Sequence, residues 1–199
     1  DAARPIEQRV LGVVVQVDEG VWGVRHRLDL GVADPVGSLL GAGPRSLREV
    51  PLKIRPATAE DQATIRRFVN DARLNPMSLH WPNFVVAQED SKFDGEVVGV
   101  GQVKAHGDGS RELASIVVVP ARQGHGIGSA VIRTLLASQP GVLHLTCRRE
   151  LQGYYERFGF RRLSRAEYPP YFGRMIPLVN LIGRLGGIQI LVMRREAPP

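Results

Sequence analysis

Three glycines at alternate positions, Gly124, Gly126 and Gly128, lie in VVVPARQGHGIGSAVI, residues 117–132, after a β-branched run and before an apolar segment of helical spacing. Glycine carries no side chain, so such a loop lets several backbone N–H groups converge on one anion. A helix opening directly behind it adds unpaired first-turn donors and the positive end of its macrodipole. Arg122 and His125 flank the loop, and a phosphate group suits it; a plain chain-reversing turn is the alternative. Two familiar phosphate loops do not fit. A dinucleotide fingerprint needs G-x-G-x-x-G, whereas these glycines fall at i, i+2 and i+4. A Walker loop needs a Lys after its last glycine, and none follows.

Other chemistry-bearing residues are sparse. The single cysteine, Cys147, excludes an internal disulfide framework and any zinc site of several thiolates. It suits a small buried hydrophobe in a strand and a reducing compartment such as the cytoplasm. No metal is expected. His80 and His106 are of the right pKa class for acid–base work at neutral pH.

These residues are carried by segments that change type along the chain. KIRPAT is a short strand. DQATIRRFVNDAR has a helical stripe at Ala63, Ile65, Phe68, Val69 and Ala72, with Thr58 and Asp61 available as caps. NFVVAQ, GEVVGVGQVKAHG and RELASIVVVP read as three strands, the last two joined by the turn HGDGS. Strict alternation in the third puts Glu112, Ala114, Ile116 and Val118 on one face. GIGSAVIRTLLASQ is a helix stopped by Pro140 and Gly141, VLHLTC a buried strand, LQGYYERFG a short helix ended by Gly159, and FRRL a strand. PYFGRMIPLVNLIGRL reads as a further helix and IQILVMRRE as the last strand. The sum is a mixed α/β sheet with helices on its faces.

Composition bounds the rest. The chain has 199 residues, 43% hydrophobic and 23% charged, enough for one sizeable core. No stretch reaches the roughly 18 apolar residues of a membrane helix, so no membrane partner is expected. Residues 1–50 differ in texture, with weak strand patterns and the Gly/Pro/Ser-rich GVADPVGSLLGAGPRS. They are read as an N-terminal extension of unassigned order, or as sequence upstream of the true gene start, ahead of a domain over residues 51–199. The net charge of +6 is concentrated after that extension. Such a surplus attracts phosphates or nucleic acid, but no helix-turn-helix, zinc or RNA-recognition signature accompanies it.

VVVPARQGHGIGSAVI resembles the acetyl-CoA motif of the GNAT acetyltransferase superfamily: an apolar strand, Pro, then [QR]-x-x-G-x-[GA] opening a long helix. Gln123, Gly126 and Gly128 occupy the three positions of that pattern. GYYERFGF, residues 153–160, is similar to the superfamily's second signature, F-Y-x-x-x-G-F, and KIRPATAEDQATI looks like its first strand and helix. The resemblance spans about residues 53–195 and implies the GNAT-like acyl-CoA N-acyltransferase fold, a mostly antiparallel mixed sheet flanked by helices.

It also implies an acetyl-CoA-dependent N-acetyltransferase in which the acceptor amine attacks the thioester directly. The amides of Gln123, Gly124, His125, Gly126, Ile127 and Gly128 would hold the pyrophosphate of coenzyme A. The backbone of Ile116, Val117 and Val118 would bond its pantetheine arm as a neighbouring strand would. By position, Tyr155 would be the acid that protonates the leaving thiolate, a phenol being protonated at neutral pH; core packing is the alternative role of Tyr154 and Tyr155. Glu112 would be the base, the alternative being a surface carboxylate paired with Arg111 or Lys104. Many members carry Asn where this chain has Arg148, so that role is not transferred; Arg148 and Arg149 are open to a phosphate or an acidic acceptor. Acceptor-binding segments would be LNPMSLHWPNF and EYPPYFGRMIPLVNLIGRL, with Trp81, His80, Tyr168 and Tyr171 as walls and Lys104 and Arg174 pointing to a carboxylate-bearing molecule. An amino acid, an amine and a protein amino group all remain open as acceptors, and the superfamily's habits admit a homodimer. The competing class is a CoA-binding or nucleic-acid-binding module that keeps the fold without turnover.

Overall fold

The structure is a computed structural model that describes residues 51–89, 95–183 and 187–196; residues 1–50, read above as an extension, lie outside the described residues. Among the described residues seven strands form one sheet in the order β1-β2-β3-β4-β5-β7-β6. They are β1 Leu52–Pro56, β2 Phe84–Glu89, β3 Val97–Ala105, β4 Arg111–Val118, β5 Leu143–Arg148, β6 Arg161–Arg162 and β7 Ile190–Arg195. Four α-helices connect them: α1 Gln62–Asp71, α2 Ile127–Ser138, α3 Gln152–Glu156 and α4 Pro170–Gly183. Only β4 and β5 run parallel; every other neighbour pair is antiparallel. This is the mixed sheet that the alternation of segments predicts, mostly antiparallel as the resemblance implies.

Two apolar layers cover the sheet. On one face α2 and α3 bury Ile127, Val131, Ile132, Leu135 and Tyr155 against Leu113, Ile116, Val118, Leu145 and Met193. On the other, α1 packs Ile65, Phe68 and Val69 on Val86, Val100 and Val117, while α4 packs Phe172, Ile176 and Val179 on Ile190 and Val192. The helical stripe of residues 62–71 is therefore a core stripe.

Thr58 and Asp61 do act as caps, through a reciprocal box at a short 3-10 turn that leads into α1. Asp61 also takes a bidentate hydrogen bond from Arg55 of β1, at 2.7 and 3.0 Å. Burial pushes the Asp61 carboxyl up, but the bonds from Arg55 and Thr58 outweigh it and hold it below its ordinary range.

Strand β4 departs from strict alternation. Ser115 sits at φ +54°, and the β3–β4 register slips between Val100 opposite Val117 and Gln102 opposite Ala114. One residue of β3 thus faces two of β4, a β-bulge. Its consequence corrects the face read from sequence: Ile116 and Val118 lie under α2, whereas Glu112 and Ala114 project from the opposite face.

Candidate functional site

The glycine loop folds as a cradle in front of α2. After β4, Pro120–Arg122 make a 3-10 turn, and the Gln123 side chain turns back to donate to the Val118 carbonyl at 3.0 Å. His125 Nδ1 donates to the Gln123 carbonyl at 2.8 Å. Gly124 and Gly126 take φ +84° and +77°, left-handed values that a Cβ would strain. Gly126 is the N-cap of α2, and no side chain caps that terminus. A Cβ built on Gly126 would meet nothing within 4 Å, so the space before the loop is open. First-turn amides without a capping side chain, open space and a helix dipole together suit an anion. Arg122, expected to flank the loop, is instead paired with Glu89 of β2 at 2.5 Å.

From that loop a gap runs along the sheet. Parallel strands β4 and β5 register at a single pair, Glu112 with His144, close to their N-terminal ends. Among the described residues no ladder joins them beyond it, so the edge of β4 at Ile116, Val117 and Val118 is left without a strand partner on that side. The bulge at Ser115 adds a peptide unit outside the β3–β4 pairing. An extended chain with amide groups could complete this edge.

At the closed end of the gap stands a buried polar cluster. Glu112, 6% exposed, accepts from Thr146 Oγ1 at 2.9 Å and from His106 Nε2 at 3.0 Å. This replaces the surface pairing weighed from sequence: Arg111 bonds Gln139 at 3.2 Å, and Lys104 makes no hydrogen bond to Glu112. His106 stacks on Tyr171 with ring centroids 3.6 Å apart, and Phe172 lies edge-on to it. Asp108, in the β3–β4 turn, accepts from the Tyr171 backbone N–H at 2.7 Å and so fixes the start of α4 over the cluster. Hydrogen bonds from the Ser110 hydroxyl and the Tyr171 amide lower the Asp108 carboxyl to about 2. Burial lowers the pKa of His144, which favours the neutral imidazole.

Tyr155 lies on the other face. It is 1% exposed, edge-on to Tyr154 and Phe160, and its burial, with smaller contributions from Cys147 and Tyr154, raises the phenol well above its usual pKa. The hydroxyl is thus held protonated. Tyr154 and Ser129 share a hydrogen bond of 3.1 Å, which ties α3 to the first turn of α2. Cys147, beside Tyr155, is a buried thiol pushed up to about 12 by desolvation, as the small-hydrophobe reading expects.

The expected acceptor walls divide. Trp81 is half-buried, its backbone N–H bonded to Gln62, and Tyr171 stands over His106, but His80 is exposed and Tyr168 lines a separate cavity of about 580 Å³ beside α4. Lys104 is buried, whereas Arg174 is exposed on α4. Arg148 lies 3.3 Å from Glu150, and Arg149 bonds Gln189 at 3.0 Å. A second cavity of about 570 Å³, with Arg133, Arg157 and Arg195 in its wall, lies on the α2 face. Among the described residues no group of three His, Cys, Asp or Glu could hold a metal, and no helix is long and apolar enough to cross a membrane.

Sequence reading missed Thr146 and His144 as neighbours of Glu112. Their signal is the alternation in VLHLTC, which sends Leu143, Leu145 and Cys147 to the α2 face and the two polar residues to the other.

Residues 80–162 match the family model described as an acetyltransferase (GNAT) domain. A search of curated proteins found no match. Among solved structures, the chain is similar to Rv2747 from Mycobacterium tuberculosis in complex with CoA and NLQ, at 21% identity and a TM-score of 0.55 over 73% of this chain and 99% of that one. It is similar to N-acetylglutamate synthase from Neisseria gonorrhoeae complexed with coenzyme A and L-arginine, at 18% identity and a TM-score of 0.54 over 76% of this chain and 34% of that one. It is similar also to the ribosomal-protein-S18-alanine N-acetyltransferase from Escherichia coli, at 18% identity and a TM-score of 0.51 over 75% and 96%. At such identities these likenesses speak for the fold. The matched segment runs from the turn before β2 to β6 and holds the glycine loop, the bulged strand and both tyrosines, and by that match and that fold the chain carries a GNAT acetyltransferase domain.

Proposed function

We propose that the chain is an N-acetyltransferase that moves an acetyl group from acetyl-CoA to a primary amine within a ternary complex. The observation that supports this best is the gap between β4 and β5, with a helix N-terminus that no side chain caps at its open end and buried Glu112 at its closed end. Bound acetyl-CoA supplies an activated thioester. The amides from Gln123 to Gly128 hold the pyrophosphate, and the free edge of Ile116, Val117 and Val118 aligns the arm as a strand partner. Glu112 takes the proton of the attacking amine from the α1/α4 face. Tyr155 gives its proton to the leaving thiolate from the α2 face. The two residues lie on opposite faces of the sheet, and the gap is what lets both reach one reacting carbon. The names of two structural neighbours, N-acetylglutamate synthase and ribosomal-protein-S18-alanine N-acetyltransferase, denote acetylation of amino groups, which accords with an amine acceptor.

Two measurements test the reading. Sub-millimolar acetyl-CoA raises the melting temperature and NAD does not; absence of a shift with acetyl-CoA rejects the cofactor. Thiol release on adding an amine library then separates an enzyme from a CoA-binding module. In that assay Tyr155→Phe lowers kcat about 100-fold while the thermal shift with acetyl-CoA persists; an unchanged kcat removes Tyr155 as the proton donor.

A further inference from the structure

Directly across the β3–β4 ladder from Glu112 is Lys104, on the same face and 7% exposed. A buried ammonium is costly unless a partner compensates it. Here Glu112 is the carboxylate opposite in register, yet its oxygens accept from Thr146 and His106 and no hydrogen bond joins it to Lys104. Among the described residues Lys104 makes neither a hydrogen bond nor an ion pair. Burial lowers its pKa, and the field of Glu112 only opposes that.

Buried polar atoms on this face without a hydrogen-bond partner include Gln102 Oε1 and His144 Nδ1, together with the Nε atoms of Arg148 and Arg194. Gln102 is the next residue of β3 on the face, with its amide nitrogen donating to Ser115 at the bulge. His144 is the register partner of Glu112 on β5. Polar groups left without protein partners inside a folded chain are satisfied by water or by a ligand.

We propose that the acceptor is a compact amine bearing a carboxylate, such as an amino acid, and that Lys104 binds that carboxylate while Glu112 faces the amine. This rests on the reading of the Glu112 face as the acceptor side. Side chains directly opposite on an antiparallel pair stand about 5 Å apart at Cβ, so the acid and the amine they serve must be close in the acceptor. A diamine would set a second cation beside Lys104 and is disfavoured. A carboxylate supplies the direct partner that Glu112 does not and turns a costly buried lysine into a recognition group. Arg174, exposed on α4, is not part of the arrangement.

The test compares matched acceptors: L-amino acids, their α-carboxamides and the corresponding decarboxylated amines, read as thiol release from acetyl-CoA. The acids are expected to exceed both counterparts by about tenfold or more in kcat/KM. Lys104→Met erases that preference by raising KM rather than lowering kcat, and Lys104→Arg restores part of it. As an independent reading on the wild-type chain with CoA present, N-acetylated amino acids raise the melting temperature and their amides do not. Equal use of acids and amides overturns the proposal, as does a preference that survives Lys104→Met. If CoA gives no thermal shift, the acetyltransferase reading fails. If CoA binds but no acid is turned over and no N-acetylated acid stabilises the protein, this inference alone fails.

Discussion

Glu112→Gln is expected to lower kcat by about 10²- to 10⁴-fold while leaving the KM for acetyl-CoA and the melting temperature close to wild type. The substitution keeps the volume and shape of a side chain that is 6% exposed, so the packing around it has no reason to change. Thr146 can still donate to the remaining carbonyl oxygen. His106 can turn its other tautomer to the new amide, since its Nε2 already lies at 3.0 Å. What disappears is an acceptor for the proton of an attacking amine. Steady-state rates with a working acceptor decide the matter: a kcat within about threefold of wild type would falsify the assignment of Glu112 as base. The paired thermal melt separates lost chemistry from lost structure.

Gly101→Val is expected to be the most damaging single change to stability. A Cβ at this position would lie 2.6 Å from Ile116 Cδ1 and 2.6 Å from Val131 Cγ1, with Leu135 Cδ1 at 3.1 Å. Those side chains are 1%, 0% and 2% exposed, so they have nowhere to retreat. The glycine is what lets α2 lie close on β3. Overpacking of this kind costs about 1–3 kcal/mol or more, which for a domain of this size lowers the melting temperature by roughly 5–10 °C. Because Ile116 also belongs to the free edge of β4, the stabilisation by acetyl-CoA should shrink in the same variant. Gly107→Ala is the control: a Cβ there meets nothing within 4 Å, and its melting temperature should match wild type. A Gly101→Val protein as stable as wild type would mean that α2 can lift from the sheet without cost.

Much of this architecture is written locally in the chain. The helical stripe of residues 62–71, its Thr58–Asp61 cap and the glycine-led start of α2 were all readable, because each depends on neighbours within one or two turns. So was the glycine turn itself, in which Gly124 and Gly126 take left-handed φ. The polar cluster was not. Glu112 meets Thr146 across 34 positions of sequence, and His106 meets Tyr171 only because the β3–β4 turn touches the start of α4 through Asp108. Such contacts depend on strand order and on which way each strand faces. The facing of β4 failed from sequence for one residue's reason: a serine at positive φ carries no compositional mark of a bulge, and alternation assumes that none is there.

That serine makes the strand behave as two segments in opposite phase. Upstream of Ser115, even-numbered residues lie on the face of the Glu112 cluster and odd-numbered ones in the α2 core; downstream the parity is exchanged. A one-residue deletion anywhere between Leu113 and Ile116 would therefore not merely shorten β4. It would bring the halves into step, so that either Glu112 is turned into the hydrocarbon layer under α2 or Ile116 and Val118 are turned out of it. The sheet can absorb a change of side chain at many of these positions, but it has no spare register for a change of count.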